Sequence, residues 1–390
     1  MVKIILNKGK EQSMLRFHPW VFSGAVKIKE GEPKDGDVVE VYSSHNQFLG
    51  IGHYQDGSIT VRMFSFTKCE INADFWFGRL ENAYNYRKQI GIIGKEDNNV
   101  YRLVFGEADE LPGLIIDFYK GHVVMQAHSI GMHLVKHELV KALQKLYGTE
   151  LKTVYDKSKE TLPKNYSASL KNEFLFGDTG KTEVMEYGHR FLVDWESGQK
   201  TGFFIDQREN RKLLATYCKD KTVLNTFSYT GGFSVYAAKA GAKMVHSVDV
   251  SKTAIELCNQ NADLNNCTNH EAYCEDTFDF LKNKENFYDV IVLDPPAFAK
   301  SRDVKHNAVI GYKKLNSAAL KQIKKGGILF TFSCSQVIDK FLFFNTITAA
   351  AIEAKRKVKI IHVLSQPADH PINVFHPEGE YLKGLVLFVD

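Results

Sequence analysis

Residues 222–234 read TVLNTFSYTGGFS, where a short apolar run ends in a polar turn that carries two glycines. Runs of the same kind follow at residues 244–248, 288–293 and 327–332, with two more at 358–364 and 382–389. Segments of helical length separate the first four runs, for example residues 251–264 and 312–324. Strands that alternate with helices form right-handed βαβ units, and these build a parallel sheet with helices on both faces. The sequence beyond about residue 199 therefore predicts a doubly wound α/β sheet.

The part of the chain that precedes this sheet has a different pattern. Short apolar alternations at residues 38–42, 48–52 and 59–64 are separated by turn residues, which predicts a small all-β barrel or sandwich. Helical patterns near residues 75–90 and after Ser129 then mix with strand patterns. We predict three domains: an all-β domain at 1–70, a central α+β domain with its linking helix at 71–196, and the α/β domain at 197–390.

The composition is that of an ordinary globular protein. The 390 residues are 44% hydrophobic and 25% charged, which excludes global disorder. The N-terminal apolar run is too short for a secretory signal, and no stretch reaches the roughly 18 uncharged apolar residues of a membrane span. We therefore expect a cytoplasmic protein. The formal net charge of +4 permits a polyanionic partner without requiring one.

The cysteines give no sign of a disulfide framework or a metal site. Six are scattered along the chain, and no pair has the C-x-x-C spacing of a zinc site. We expect no metal. Five of them are interpreted as structural: Cys69, Cys218, Cys258, Cys267 and Cys274.

In a doubly wound sheet the ligand lies outside the carboxyl ends of the strands. The turn at Gly231 and Gly232 opens a helix after the first run, and Asp249 ends the second, where a carboxylate can bind ribose hydroxyls. The full G-x-G-x-x-G fingerprint is absent, so the two features together favour an adenosine-containing cofactor without saying which. Farther along, Asp276 has two interpretations: it contacts an adenine, or it caps a helix.

The last two strand ends carry the groups that suggest chemistry. Asp294 is followed by Pro295 and Pro296, which fix an extended backbone, and then by Phe298. Such a segment suits the edge of a planar base, because its oxygens accept hydrogen bonds from an exocyclic amine. Cys334 follows the next strand and is flanked by two serines, near a helix start whose dipole can lower a thiol pKa.

Five motifs of the chain closely resemble the RlmI-like class I S-adenosylmethionine-dependent methyltransferases, which form 5-methylcytosine in large-subunit ribosomal RNA. These motifs are TVLNTFSYTGGFS at 222–234, GQKTGFFIDQR at 198–208, DPPAFAKS at 294–301, SCS at 333–335 and PEGEYLK at 377–383. Residues 18–24, HPWVFSG, are similar to the start of that family's PUA RNA-binding domain. The resemblance covers the whole chain.

The resemblance implies a Rossmann-like methyltransferase domain, S-adenosylmethionine as cofactor and ribosomal RNA as partner. It places in the cofactor pocket Asn225, Tyr229, Gly231, Asp249 and Asp276, with Gln207 and Arg208 at its edge. It makes Asp294 the residue that holds the target base and Cys334 the nucleophile that adds to cytosine C6. Ala297 stands where many RNA cytosine methyltransferases carry a second cysteine, so a single-thiol mechanism is expected.

Two other functions stay open at this point. One is methylation of an exocyclic nitrogen of guanine or adenine, which uses similar turns but needs no thiol at Cys334. The other is a non-catalytic role in ribosome assembly, in which only the fold is retained. A nicotinamide-dependent dehydrogenase is disfavoured because its glycine fingerprint is missing. The sequence also leaves open whether the protein forms a homodimer.

Overall fold

The computed structural model describes residues 1–282, 286–298 and 305–390. The chain divides into two units. Unit 1 comprises Met1–Val184, Val193–Ile205 and Ala368–Gly379, and unit 2 comprises Met185–Leu192, Asp206–Pro367 and Glu380–Asp390. The domain boundaries at residues 70 and 196 stay a prediction.

The N-terminal part of unit 1 is a six-stranded sheet with the strand order β2-β6-β5-β4-β1-β3. Its elements are β1 (Val2–Leu6), α1 (Gln12–Leu15), β2 (Trp20–Phe22), β3 (Val26–Glu30), β4 (Val38–Tyr42), β5 (Phe48–Tyr54) and β6 (Ile59–Ser65). Alternate residues of these strands, such as Ile4, Val41 and Val61, form one fully buried apolar cluster. The predicted all-β fold is confirmed.

The rest of unit 1 contains a five-stranded sheet with the order β11-β10-β9-β8-β7. Its elements are α2 (Ala73–Gln89), β7 (Val100–Phe105), β8 (Leu114–Tyr119), β9 (His122–Ala127), α3 (Ile130–Leu134), α4 (Lys136–Tyr147), β10 (Thr153–Asp156), α5 (Lys164–Ser167) and β11 (Glu173–Phe176). Ser129 caps a helix as predicted. The predicted single helix is divided into α3 and α4, because the backbone leaves helical geometry at Val135 (φ −90°, ψ 8°).

A two-stranded hairpin follows, made of β12 (Lys181–Glu186) and β13 (His189–Asp194). Its two turn residues, Tyr187 and Gly188, have φ of 46° and 80°. Positive φ at both central positions matches a type I′ turn, whose twist suits a hairpin.

Unit 2 contains a seven-stranded sheet with the order β16-β15-β14-β17-β18-β20-β19. Its elements are α6 (Arg208–Ala215), β14 (Thr222–Thr226), α7 (Gly232–Lys239), β15 (Met244–Asp249), α8 (Lys252–Leu264), β16 (His270–Cys274), α9 (Thr277–Leu281), β17 (Tyr288–Leu293), α10 (Lys305–Gln322), β18 (Ile323–Ser333), α11 (Lys340–Ala354), β19 (Val358–Leu364) and β20 (Lys383–Val389). Strands β14 to β18 are parallel, while β20 is antiparallel to β18 and β19. The predicted doubly wound sheet is confirmed.

Both faces of this sheet are buried, which explains the near-continuous apolar runs of its strands. Leu224, Ile291 and Leu329 belong to one apolar cluster together with residues of α10 and α11. Their neighbours in sequence point to the other face and join α6 and α7; they are Val223, Val292 and Phe330. Neither face exposes the inner strands to water, so the functional groups lie at the strand ends.

Two predicted boundaries in unit 2 were wrong. Helix α10 begins at Lys305 rather than at 312, because its buried face already starts at Ala308, four residues before Tyr312. The last predicted helical residues belong to β18 instead, since Ile323 pairs with Tyr288. Within the described part of the chain, no helix combines the length and the apolar character needed to cross a bilayer.

Candidate active site

The carboxyl ends of β14, β15, β17 and β18 meet at one edge of the seven-stranded sheet. Thr226 of β14 pairs with Val248 of β15 and with Leu293 of β17, and β18 continues the same parallel register. The segments that end or follow these strands therefore emerge side by side. They form two groups: the Asp249 corner (Asn225, Tyr229, Gly231, Asp249) and the Cys334 corner (Asp294, Tyr312, Cys334, Lys383).

The turn of the Asp249 corner is held in an uncommon backbone conformation. Phe227, Tyr229 and Gly231 have φ of 53°, 45° and 78°. Left-handed backbone costs a non-glycine residue roughly 1–2 kcal/mol. A Cβ on Gly231 would lie 2.5 Å from the Cys258 Sγ atom, so this position requires glycine for space as well as for conformation. The close approach that the glycine allows is to helix α8.

Asp249 fixes that turn with its carboxylate. Its Oδ2 atom accepts a hydrogen bond from the Tyr229 backbone N–H at 3.0 Å, and its Oδ1 atom accepts one from the Ser251 N–H at 2.9 Å. A carboxylate has about four acceptor positions, so each oxygen keeps one for a ligand hydroxyl. The side chain can therefore hold the turn and bind a ribose at the same time.

Asn225 leads a chain of buried hydrogen bonds behind the turn. Its amide donates to Ser234 Oγ at 2.8 Å, Ser234 Oγ bonds Ser247 Oγ at 2.6 Å, and Ser247 Oγ bonds His270 Nε2 at 2.7 Å. Burial lowers the pKa of His270 to about 4, so the imidazole is neutral at pH 7 and accepts the last hydrogen bond when its proton is on Nδ1. The chain orients Asn225 and ties β14, α7, β15 and β16 together.

Three further predicted cofactor residues have partners of their own. Asp276 Oδ1 caps α9 by accepting from the Phe278 and Asp279 backbone N–H groups, at 2.8 and 3.2 Å. Gln207 Oε1 accepts from Asn210 Nδ2 at 2.6 Å. The Arg208 guanidinium is fully buried, with its Nε 3.4 Å from a carboxylate oxygen of the adjacent Glu209. Of the two interpretations of Asp276 that the sequence allowed, adenine contact and helix cap, the helix cap is the one that these hydrogen bonds show.

The segment after β17 packs firmly on α10. Pro295 is buried and Pro296 exposed, so the diproline runs from the core to the surface. The Phe298 ring lies 4.7 Å from the Tyr312 ring, and its edge would be 3.1 Å from a Cβ at Gly311. This packing fixes the backbone that carries Asp294. Residues 299–301, the end of the DPPAFAKS motif, lie outside the described residues.

Cys334 is half-buried and lies between two buried serines just beyond β18. The ammonium group of Lys383 is bonded to the same loop: Nζ donates to the carbonyl oxygens of Ser335 and Tyr381, both at 2.7 Å. Burial lowers the pKa of Lys383 to about 8, against the charges of Cys334, Glu380 and Asp339, which raise it. A buried cation and a partly accessible thiol thus share this corner.

Tyr312 completes the Cys334 corner from α10. Its side chain is fully buried, and its hydroxyl makes no hydrogen bond of ordinary geometry with any described residue. Burial raises its pKa, and the charges of Cys334 and Asp294 act in the same direction, while polar contacts of loose geometry with Ser333 and the Phe298 backbone lower it; the net shift keeps the phenol protonated. Sequence reasoning missed Tyr312, and it assigned no role to Lys383 although the PEGEYLK motif contains it. The sequence does mark Lys383, because it is a single cation among the apolar residues of a predicted strand.

The other cysteines lack such surroundings. The Cys218 thiol is buried and donates to the Leu214 carbonyl at 3.1 Å, and burial raises its pKa to about 12. Burial raises the pKa of Cys258 to about 11. Cys274 is exposed, and its thiol lies 3.5 Å from the Val250 carbonyl oxygen. Cys218 and Cys258 are therefore poor nucleophiles, and Cys274 ends β16, which three strands separate from β18.

Comparison with known proteins adds to this geometry. A PUA-like domain matches residues 4–66, and an S-adenosylmethionine-dependent methyltransferase domain matches residues 108–374. The ribosomal RNA large subunit methyltransferase I of Aeromonas salmonicida is 40% identical over 395 residues, which covers 99% of both chains. Its namesake in Escherichia coli O139:H28 is 38% identical over 392 residues, or 98% of both chains. The chain belongs to the ribosomal RNA large subunit methyltransferase I family.

Solved structures agree with this assignment. A candidate SAM-dependent methyltransferase from Streptococcus mutans has a TM-score of 0.84 and 25% identity, with full coverage of both chains. A candidate methyltransferase in complex with SAH, the demethylated form of the cofactor, has a TM-score of 0.85 and also 25% identity over both full chains. The predicted family, the PUA-like domain and S-adenosylmethionine as the cofactor of this methyltransferase are confirmed.

Proposed function

We propose that this methyltransferase forms 5-methylcytosine in large-subunit ribosomal RNA, with Cys334 as the nucleophile. The observation that carries the proposal is the Cys334 corner, where a half-buried thiol, a buried ammonium group and the carboxylate-bearing end of β17 share one edge of the sheet. The substrate class comes from relatives named for large-subunit ribosomal RNA, whose names do not give the base. The choice of cytosine therefore depends on the thiol.

The chemistry of cytosine explains why a thiol is needed. Carbon C5 is a poor nucleophile, but addition of the Cys334 thiolate to C6 turns C5 into an enamine carbon. S-adenosylmethionine supplies the methyl group that C5 takes. Loss of the C5 proton then restores the double bond and releases the thiolate, which balances the addition. Asp294 and a water molecule are the two proposed acceptors of that proton, and Ala297 leaves the reaction with one thiol.

The residues of the Asp249 corner fit the cofactor. Asp249 keeps an acceptor position on each oxygen for a ribose hydroxyl, and the left-handed turn at Tyr229 and Gly231 brings backbone to the same place. We propose that Asn225 positions this turn and that Asp276, Gln207 and Arg208 border the pocket. Asp276 still has its Oδ2 atom for a ligand, because both capping hydrogen bonds go to Oδ1.

We propose that the target base binds between the Asp249 corner and the Cys334 corner, at the strand ends. Asp294 and the carbonyl groups of Pro295 and Pro296 accept hydrogen bonds from the exocyclic amine, and the fixed Phe298 packs beside the base. A base inside a helix cannot present C5 and C6 to a thiol, so it must leave its stack at a cost of a few kcal/mol. The PUA-like domain is proposed to bind the surrounding RNA.

The proposal is tested with protein-free large-subunit ribosomal RNA from a strain that lacks the enzyme. The RNA is incubated with labelled S-adenosylmethionine and wild type, Cys334→Ala or Cys267→Ala, and is then digested to nucleosides. Cys267 is the matched control because it is a half-buried thiol outside both corners. We expect label in 5-methylcytidine with wild type and Cys267→Ala, and none with Cys334→Ala.

Other outcomes would overturn the proposal. Label in an N-methylated purine that persists in Cys334→Ala would show that the enzyme modifies an exocyclic nitrogen. If protein-free RNA gives no label with wild type, the same assay with large ribosomal subunits from that strain decides. No label there either would leave an RNA-binding role in assembly.

A further inference from the structure

Lys383 is a buried cation whose described partners are uncharged. Its side chain belongs to a residue only 3% exposed, and Nζ donates to two backbone carbonyls, those of Ser335 and Tyr381. Among the described residues, no carboxylate lies within ion-pair distance of Nζ. Burying a charge without an opposite charge is costly, and burial normally drives such a lysine toward its neutral form. The position therefore needs a reason to carry a lysine.

Strand pairing brings this cation to the strand end that carries the thiol. Strands β18 and β20 are antiparallel, and Lys383 is the direct cross-strand partner of Ser333. Cys334 is the next residue along the chain, and the carbonyl that accepts from Nζ belongs to the residue after it. An ammonium group has three donors, and two of them are engaged by carbonyls. The third is not taken by any described residue, and the Cys334 charge acts on Lys383.

The charged groups that act on Lys383 are Cys334, Glu380 and Asp339, in that order. Glu380 forms an ion pair with the exposed Lys340 at 3.3 Å, and Asp339 caps α11 through the Leu342 N–H at 2.8 Å. Both carboxylates thus have other partners. The thiolate of Cys334 is the remaining negative group that faces the buried ammonium.

We propose that Lys383 is a positioning residue that stabilises the thiolate form of Cys334 and holds the Cys334 loop against β20. The inference rests on the proposed role of Cys334 as the nucleophile and adds the group that prepares it. An ammonium group next to a thiol shifts the thiol toward thiolate, the reactive form. Because Lys383 itself has a pKa of about 8, it is mostly charged at neutral pH and loses this charge as the pH rises through 8.

The test measures the reactivity of Cys334 without RNA and without cofactor. Iodoacetamide forms a C–S bond with a thiolate and releases iodide, so its rate follows the thiolate fraction. The rate at Cys334 is measured by peptide mass spectrometry across pH for wild type, Lys383→Met, Lys383→Arg and the control Lys141→Met. Lys141 is an exposed lysine of α4 that pairs with Glu138 and lies outside both corners.

We expect Lys383→Met to move the pH midpoint of Cys334 alkylation upward by about one unit, which slows alkylation about tenfold at neutral pH. Lys383→Arg keeps the charge and should retain most of the wild-type midpoint, and Lys141→Met should not change it. A folded Lys383→Met protein with an unchanged midpoint would overturn the inference.

A second measurement covers the case in which Lys383→Met does not fold. Coupling between two titrating groups is reciprocal, so removing the thiolate must lower the pKa of the lysine. NMR of lysine-labelled protein should show a lower Lys383 pKa in Cys334→Ala than in wild type, and an unchanged pKa would contradict the inference. If the coupling is found but Cys334→Ala still methylates RNA, the nucleophile assignment fails while the coupling stands. If Cys334→Ala is inactive and no coupling is found, only the role of Lys383 fails.

Discussion

The Asp249 corner and the Cys334 corner lie at the same edge of one sheet, yet the side chains that define them have different kinds of partner. In the Asp249 corner the carboxylate holds two backbone N–H groups, and Asn225 is fixed by a chain of hydrogen bonds. In the Cys334 corner, Tyr312 has no hydrogen bond of ordinary geometry within the described residues, and the Lys383 cation has only carbonyl partners.

The two corners therefore suit different tasks. Polar groups that are satisfied by their own chain form a rigid cradle, which suits a cofactor that binds in one pose. Buried polar groups without a satisfying partner cost stability and are retained where a reacting group will meet them. We therefore interpret the Asp249 corner as the binding part of the site and the Cys334 corner as the reacting part.

The largest effect is expected from Gly231→Ala, which tests the rigidity of the cradle. The substitution puts a Cβ at φ 78° and 2.5 Å from Cys258 Sγ. Left-handed backbone and overpacking together should lower the free energy of unfolding by about 3 kcal/mol, as measured by urea denaturation. Cys258→Ala removes the atom that the new Cβ would touch, which relieves the overpacking. The double variant should therefore lose less free energy of unfolding than the two single variants lose when their losses are summed. Strict additivity would contradict the contact.

The next effect concerns the carboxylate of the cradle. Asp249→Asn replaces one accepting oxygen by an amide NH2 group, which only donates, so either the Tyr229 or the Ser251 N–H loses its acceptor. We expect calorimetry to show affinity for S-adenosylmethionine reduced about 10- to 100-fold, while RNA affinity stays unchanged. Asp279→Asn, in an exposed ion pair with Lys282, should bind the cofactor like wild type. Equal affinities in the two variants would remove Asp249 from the cofactor site.

Much of this comparison could be predicted from the sequence, because strand ends follow directly from the apolar runs. Asp249, Asp294 and Cys334 were all placed at the correct edge for that reason. The lone cation Lys383 stands out in the sequence, but its partners depend on the antiparallel insertion of β20, and the burial of Tyr312 depends on the packing face of α10. The sequence also could not show that the Asp249 carboxylate holds its own turn, which only the three-dimensional path of residues 227–231 reveals.

A pair of buried tyrosines in unit 2 sharpens the contrast at a smaller scale. The Tyr288 hydroxyl bonds His246 Nδ1 at 2.8 Å, whereas the Tyr312 hydroxyl has no such bond within the described residues. Tyr288→Phe should lower the free energy of unfolding by about 1 kcal/mol and leave methylation unchanged. Tyr312→Phe should leave stability unchanged and lower the methylation rate about tenfold, as expected for a hydroxyl that meets the substrate. The reverse pattern would contradict our interpretation of the Cys334 corner.

The smallest effect is the pH dependence of the reaction. A cation that favours the thiolate lowers the pH at which Cys334 becomes reactive, so kcat/KM should reach its plateau at a lower pH in wild type than in Lys383→Met. Arginine stays protonated in this range, and Lys383→Arg should therefore keep the wild-type profile. Profiles of kcat/KM that coincide for wild type and Lys383→Met would contradict the role of Lys383.

The most direct test of the nucleophile uses RNA transcribed with 5-fluorocytidine. Fluorine at C5 cannot leave as a proton, so the bond between Cys334 and C6 cannot be released after methylation. We expect a covalent protein–RNA complex that survives denaturing electrophoresis, requires S-adenosylmethionine, forms with Cys267→Ala and does not form with Cys334→Ala. Methylation of normal RNA without any trapped complex, or a complex that persists in Cys334→Ala, would contradict the assignment of Cys334 as the nucleophile.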